Sequence, residues 1–160
     1  MKKIIALALS VLIGSSVFAM GTVNVGCKTD GSTVVSTIGY DGLVHSFRNT
    51  ELWLEPHVNL GARFDNGDKA FCYGGGLSFT DTFINTGFLC GFDLDYVRAT
   101  FSDDSVINSF MITPKVGYKL YNIKLYGGVT KGIFLCTGSD KREEGNIYPW
   151  MLSMGIELIF

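Results

Sequence analysis

From Ile147 to Phe160 the chain alternates at every position. Tyr148, Trp150, Leu152, Met154, Ile156, Leu158 and Phe160 form an apolar parity, against a mixed one of Ile147, Pro149, Met151, Ser153, Gly155, Glu157 and Ile159. A period of two places successive side chains on opposite faces of a strand. The run is longer than the usual soluble strand of about five or six residues. A chain that ends this way must build a sheet with one apolar face.

The pattern recurs upstream. From 50 to 64, Leu52, Leu54, Val58, Leu60 and Phe64 oppose Glu51, Trp53, Glu55, His57, Asn59 and Arg63. From 69 to 79, Phe71, Tyr73, Leu77 and Phe79 oppose Ala70, Cys72, Gly74, Gly76 and Ser78. From 84 to 96, Phe88, Cys90, Phe92, Leu94 and Tyr96 oppose Gly91, Asp93 and Asp95. From 110 to 120, Phe110, Ile112, Val116 and Tyr118 oppose Met111, Thr113, Lys115, Gly117 and Lys119. From 123 to 135, Ile123, Leu125, Val129, Ile133 and Leu135 alternate with Lys124 on the other face, and Lys131 interrupts the apolar parity.

Two more strands fit the less regular stretch 21–48, one through Val23, Val25 and Cys27, one from Thr33 to Phe47 with a break at Asp41-Gly42. The expected fold is therefore all-β, an eight-stranded antiparallel up-and-down barrel. Connectors at 48–50, 80–83 and 121–122 read as short. Those at 65–68, 99–106 and 137–146 are polar and mostly longer, as when the two rims of a membrane barrel face different compartments. Pro56 and Pro114 fall inside strands, where each removes a ladder donor and is expected to need a bulge. The abundance of Gly (20), Phe (12) and Tyr (7) suits sheet rather than helix. A net charge of −2 lacks the basic footprint of a nucleic-acid binder.

Met1-Lys2-Lys3, the apolar run from Ile4 to Ile13, and Val17-Phe18-Ala19 have the order of a secretory signal peptide cut after Ala19. This predicts a signal at 1–19 and a barrel domain at 20–160. No later segment approaches the roughly 18 apolar residues of a spanning helix. An exported domain or a transmembrane β-barrel remains.

Both soluble and membrane barrels alternate, and direction separates them. The bulky parity here is Phe, Leu, Ile, Tyr and Trp, whereas the other parity mixes small residues with charges. An eight-stranded lumen is just wide enough to be filled by side chains. Small residues and paired charges fit it, so the bulky parity is expected to face lipid. A lipocalin-like carrier would invert that assignment.

The terminal Phe160 after Ile156-Glu157-Leu158-Ile159 resembles the C-terminal strand signature of bacterial outer-membrane β-barrels. With the leader and the strand count, the chain is similar to the small OmpX/OmpA-type barrels. The resemblance implies insertion into the bacterial outer membrane, with Tyr148, Trp150, Leu152, Met154, Ile156, Leu158 and Phe160 read by the barrel-insertion machinery. Outer-membrane lipid is the implied partner.

The inward parity predicts a lumen charge network of Glu51, Glu55, His57, Arg63, Asp93, Asp95, Lys115, Lys119, Lys124 and Glu157. Because unpaired buried charge is costly, these charges read as a self-satisfied plug. A narrow pore, with Glu55 and Arg63 opposing Lys115 and Lys119, is the alternative. Glu55 and His57 share a face, but two ligands do not make a metal site, so no metal or cofactor is expected. His45 and Ser46 are adjacent and point to opposite faces, and His57 has no Ser at same-face spacing, so the chain is not expected to be an enzyme. Cys27, Cys72, Cys90 and Cys136 would allow two disulfides in an oxidising compartment, with Cys72 and Cys136 sharing the inward parity. The expected role is structural or adhesive, through loops 99–106 and 137–146 and an extracellular ligand the sequence does not identify.

Overall fold

In the computed structural model the chain is described at residues 21–65, 68–102, 106–138 and 150–160, with backbone alone at 65, 68 and 134–138. The expected leader at 1–19, the 139–146 part of the long loop and Tyr148 lie outside the described residues. Eight strands follow in order: β1 (Gly21–Thr29), β2 (Thr33–Ser46), β3 (Thr50–Asp65), β4 (Asp68–Phe83), β5 (Phe88–Phe101), β6 (Val106–Leu120), β7 (Ile123–Gly138) and β8 (Trp150–Ile159). Each pairs antiparallel with its sequence neighbours, and β1 pairs with β8, so the sheet closes into a barrel. The seam runs from Thr22 opposite Ile159 to Thr29 opposite Leu152, and the Phe160 amide donates to the Gly21 carbonyl at 3.0 Å. Closure leaves no sheet edge.

The strands run further than the alternation alone indicated. Residues 80–83 complete β4, and the turn falls at 84–87. Residues 99–101 and 106 belong to β5 and β6, so that connector shrinks to 102–105. At 65–68 the ladder continues to Asp65 opposite Asp68, which makes a tight hairpin of a segment that reads as a loop. The connectors 47–49, 84–87 and 121–122 share one end with both barrel termini. At the opposite end, 139–149 is the longest stretch of sequence between consecutive strands.

The break expected near Asp41 is a register shift between Leu43 and His45, where Val44 is the additional residue. A second shift places Ile133 as an extra residue between Gly132 and Phe134. The alternation counted upstream does not carry past it. For that reason the expected inward parity of Cys136 does not follow, and its side chain lies outside the described residues. Cys72 is buried, whereas Cys27 and Cys90 hold free thiols on the outward parity.

Neither proline needs a bulge. Pro56 keeps register with Leu77 on β4, and Pro114 keeps register with Phe92 on β5. On the other side the ladder skips a step without slipping, between Ile112–Lys131 and Lys115–Gly128 around Pro114. The hydroxyls of Thr113 and Thr130, facing each other across that gap at 2.7 Å, hydrogen-bond instead.

The two-residue turn from β6 to β7 has Tyr121 in the left-handed region, at φ 52°, with its side chain almost wholly exposed. A non-glycine residue held there costs of order 1 kcal/mol or more, and this side chain loses no packing if removed. Tyr121→Gly is therefore expected to raise stability by about 1 kcal/mol, read as a higher urea midpoint of the refolded protein. An unchanged or lower midpoint would mean the turn carries no strain.

Candidate functional site

Alternation puts one side chain in two into the lumen, and every strand contributes a polar one. Asn24 and Lys28 enter from β1, Thr37 and Asp41 from β2, Glu55, His57 and Asn59 from β3, and Ser78 from β4. Asp93 and Asp95 come from β5, Thr113 and Lys115 from β6, Lys124 and Thr130 from β7, and Ser153 and Glu157 from β8. All are buried.

These groups join into one network. Lys28 donates to Asp95 Oδ2 at 2.5 Å and lies 3.4 Å from Asp93. The other oxygen of Asp95 accepts from Asn59 at 2.6 Å and from His57 Nε2 at 2.7 Å. His57 Nδ1 lies 3.5 Å from Glu55 without a hydrogen bond to it, so the ring is bonded to Asp95 and only approaches the second carboxylate. Both Glu55 oxygens accept from the Asn24 amide at 2.8 Å, and Asn24 accepts in turn from the Tyr126 hydroxyl at 2.9 Å. Lys115 bridges Asp93 at 3.2 Å and Glu157 at 3.8 Å, donates to Ser78 at 2.6 Å, and lies over the Tyr126 ring.

Carboxylate oxygens of Asp41, Glu55 and Glu157 lie within 4.8 Å of one another, the spacing of a metal-ligand set. The position a cation would take is served by Lys124. Its ammonium is 2.7 Å from Glu157, 3.6 Å from Asp41 and 3.9 Å from the centroid of the Trp53 ring. Lys124 thus braces two of the three carboxylates, and Glu55 takes the Asn24 amide instead.

Room for this network comes from missing side chains. A Cβ at Gly76 would collide with His57 Nε2 and Asp95 Oδ1, and one at Gly155 would collide with the Tyr126 ring and hydroxyl. Gly155 is the register partner of Tyr126, so the ring lies across the glycine, as when an aromatic covers an exposed backbone.

Most of the sequence-derived set is brought together here: Glu55, His57, Asp93, Asp95, Lys115, Lys124 and Glu157. Of the expected opposition of Glu55 and Arg63 with Lys115 and Lys119, Glu55 and Lys115 do come within electrostatic reach of each other in the lumen, whereas Lys119 and Arg63 stand elsewhere. Lys119 pairs with Glu51 at 3.0 Å near the short-connector rim. Arg63 lies toward the other end, in register with Thr33 and Ala70. The residues the sequence reading passed over are Lys28, Asp41 and the neutral connectors Asn24, Asn59, Ser78 and Tyr126. Lys28 and Asn24 sit on the polar parity of β1, a signal that was present in the sequence. Asp41 was hidden by the bulge beside it.

Above the network, toward the 139–149 end, the lumen is mostly apolar. Val35, Ala70, Cys72, Val97, Ala99, Phe101, Ile107, Met111 and Met151 form one buried cluster. The interior therefore has two layers, one charged and one mostly apolar, the second also holding buried Arg63, Thr33 and Ser109. Outside, the bulky parity faces away from the barrel on every strand, from Val23 and Val25 on β1 to Leu152 and Leu158 on β8. In β8, Trp150, Leu152, Met154, Ile156 and Leu158 all point outward, and Phe160 just beyond it is exposed.

Removing one partner of a buried ion pair costs about 3–5 kcal/mol, because the other charge is left unopposed. Lys124→Met should therefore lower the unfolding free energy by about that much. Adding Glu157→Gln to the same chain should restore a substantial part. Urea titration of the parent, both singles and the double variant measures the coupling. A Lys124→Met barrel within about 1 kcal/mol of the parent, on the scale of an exposed pair, would remove the network's claim to hold the fold.

No family model matches the sequence, and no curated protein does. Among solved structures, one from work titled "De novo design of transmembrane beta-barrels" is similar at a TM-score of 0.44 and 16% identity, covering 88% of this chain and 93% of that one.

Proposed function

We propose that this chain is an integral outer-membrane β-barrel of bacteria, without enzymatic activity, whose role is structural or adhesive. The observation that carries the reading is the direction of the alternation. Large apolar side chains cover the outside of all eight strands while ammonium and carboxylate groups fill the inside, the reverse of a soluble barrel. An apolar surface that continuous is far beyond the patches soluble monomers expose.

Its height fits a bilayer. On β4 the outward run Phe71, Tyr73, Gly75, Leu77 and Phe79 is bracketed by Lys69 and Asp81. With roughly 3.3 Å rise per residue and a tilt near 40°, the two lie about 30 Å apart along the barrel axis. Aromatics collect toward both ends. Phe71–Tyr73 and Tyr96–Phe110 stand toward the long connector, and Phe83–Phe88 stands at the short turns. Such girdles mark the two interfaces of membrane barrels.

The filled lumen favours a scaffold over a channel. A solute would have to break the ion pairs of the charged layer and then cross the apolar cluster. That leaves the surface loops to carry any interaction. Segment 139–149 is the main candidate for an extracellular ligand and 102–105 the second, and the alternating outward face of β8 is the surface offered to the insertion machinery.

Two measurements test this. Leu94→Arg places a cation at mid-height of the outward face. It should cost about 2–4 kcal/mol in a bilayer and abolish the heat-dependent gel mobility shift of protein refolded into vesicles. A soluble barrel would tolerate an arginine on its surface, so an unaffected variant, or a parent that is monomeric in buffer without detergent, would sink the membrane reading. In planar bilayers the inserted parent should leave the current at baseline, whereas discrete conductance steps would favour the pore.

A further inference from the structure

The charged layer of the lumen does not balance. Among the described residues it holds five buried carboxylates, Asp41, Glu55, Asp93, Asp95 and Glu157, against the ammonium groups of Lys28, Lys115 and Lys124. Glu51 and Lys119 cancel each other nearer the rim. With Arg63 of the layer above counted as a fourth cation, one carboxylate is still in excess. An unopposed charge buried this way is costly, and the group that bears it takes up a proton instead.

Position says which carboxylate that is. Lys28 pairs with Asp93 and Asp95, Lys115 with Asp93 and Glu157, and Lys124 with Asp41 and Glu157. Among the described residues no lysine pairs with Glu55, which accepts only from the Asn24 amide. Lys115 is within electrostatic reach of it, but its ammonium is engaged by Asp93, Glu157 and Ser78.

The groups nearest the Glu55 carboxyl are acceptors. On one side stands the Asp41 carboxylate of β2, within 4.8 Å. On the other, buried His57 Nδ1 faces Glu55 Oε1 at 3.5 Å with no hydrogen bond. The far side of the ring fixes the tautomer. Asp95 already accepts from Lys28 and Asn59, so it accepts from His57 Nε2 as well, and Nδ1 keeps a lone pair. A carboxylate set between a second carboxylate and a lone pair is repelled by both, whereas a carboxylic acid donates to either. Glu55 also packs directly on Gly39, where a Cβ would collide with its carboxyl, so bare backbone covers that face. The other strands around it bring neutral Ser78 from β4, Asp93 and Asp95 from β5, Lys115 from β6, Lys124 and Tyr126 from β7, and Glu157 from β8, with Lys28 further along β1.

We propose that Glu55 is a proton-binding site of the lumen, held as the neutral acid between the Asp41 carboxylate and the lone pair of His57 Nδ1. The inference goes beyond the scaffold reading and makes the lumen responsive to pH. The proton turns the repulsion between Glu55 and Asp41 into a hydrogen bond. That stabilisation is present at low pH and is lost as rising pH removes the proton.

Infrared spectra of the full chain refolded in detergent test this, with the gel mobility shift reporting the fold. At about pH 7 the parent should show the carbonyl band of a carboxylic acid beside the carboxylate bands, moving to lower frequency in heavy water. Glu55→Gln keeps the size and the hydrogen-bonding ends of the neutral acid, so this variant should fold and lose that band. Between about pH 7 and about pH 9 the urea midpoint of the parent should fall, and that of Glu55→Gln should fall much less. A parent without the acid band, or a band that survives in Glu55→Gln, overturns the proposal. So does a Glu55→Gln chain that fails to fold, because its amide stands for the neutral acid. Nitrogen NMR showing hydrogens on both ring nitrogens of His57 at the same pH would put the proton on the ring, and would overturn the assignment to Glu55.

Discussion

A barrel of eight strands is too narrow to keep water around a charge in its lumen, and every other feature of this structure depends on that. Each ammonium that enters must meet a carboxylate, and each carboxylate a donor, because a buried group without a partner costs more than a made interaction returns. The result is a lattice in which Lys115 and Lys124 are each shared between acids from different strands, and Lys28 of β1 between two acids of β5. Asn24, Asn59 and Tyr126 donate where no lysine does, and Ser78 accepts from Lys115. Because every strand supplies a member, the lattice specifies neighbours across the barrel, which the backbone ladder alone cannot do.

The two layers of the lumen divide the work. The charged layer fixes which strands face one another, and the apolar layer above it contributes burial without directional demands. A charge network open to solvent at both ends would be screened and weak. With Val35, Val97, Ile107, Met111 and Met151 packed over one side, its ion pairs act at lower effective dielectric and resist exchange with water. The same arrangement that stiffens the scaffold works against a continuous aqueous path.

The outside obeys the complementary rule. In hydrocarbon a strand has nothing to hydrogen-bond except its neighbours, so only a closed sheet spans a bilayer. The Thr22–Ile159 to Thr29–Leu152 seam supplies that closure. The two prolines survive because each faces one continuous ladder, and the gap beside Pro114 is bridged by Thr113 and Thr130. Among the described residues, the outward faces of the strands carry few charges, with Lys69 and Asp81 bracketing the apolar run of β4.

Alternation in the sequence determined the strand count, the antiparallel order and the face of nearly every residue from Thr50 to Leu120, since a period of two admits one assignment once the bulky parity is turned outward. It also placed Glu55, His57, Asp93, Asp95, Lys115, Lys124 and Glu157 inside. It could not say which of them meet. Partners come from strands far apart in the chain, such as Lys28 with Asp95 or Tyr126 with Asn24, and their meeting depends on the stagger with which the sheet closes. Nor could it reveal the bulges at Val44 and Ile133, where one extra residue reverses the count. The tertiary structure alone decided the pairing, because parity is a local property of the backbone and contact across a lumen is a property of the closed barrel.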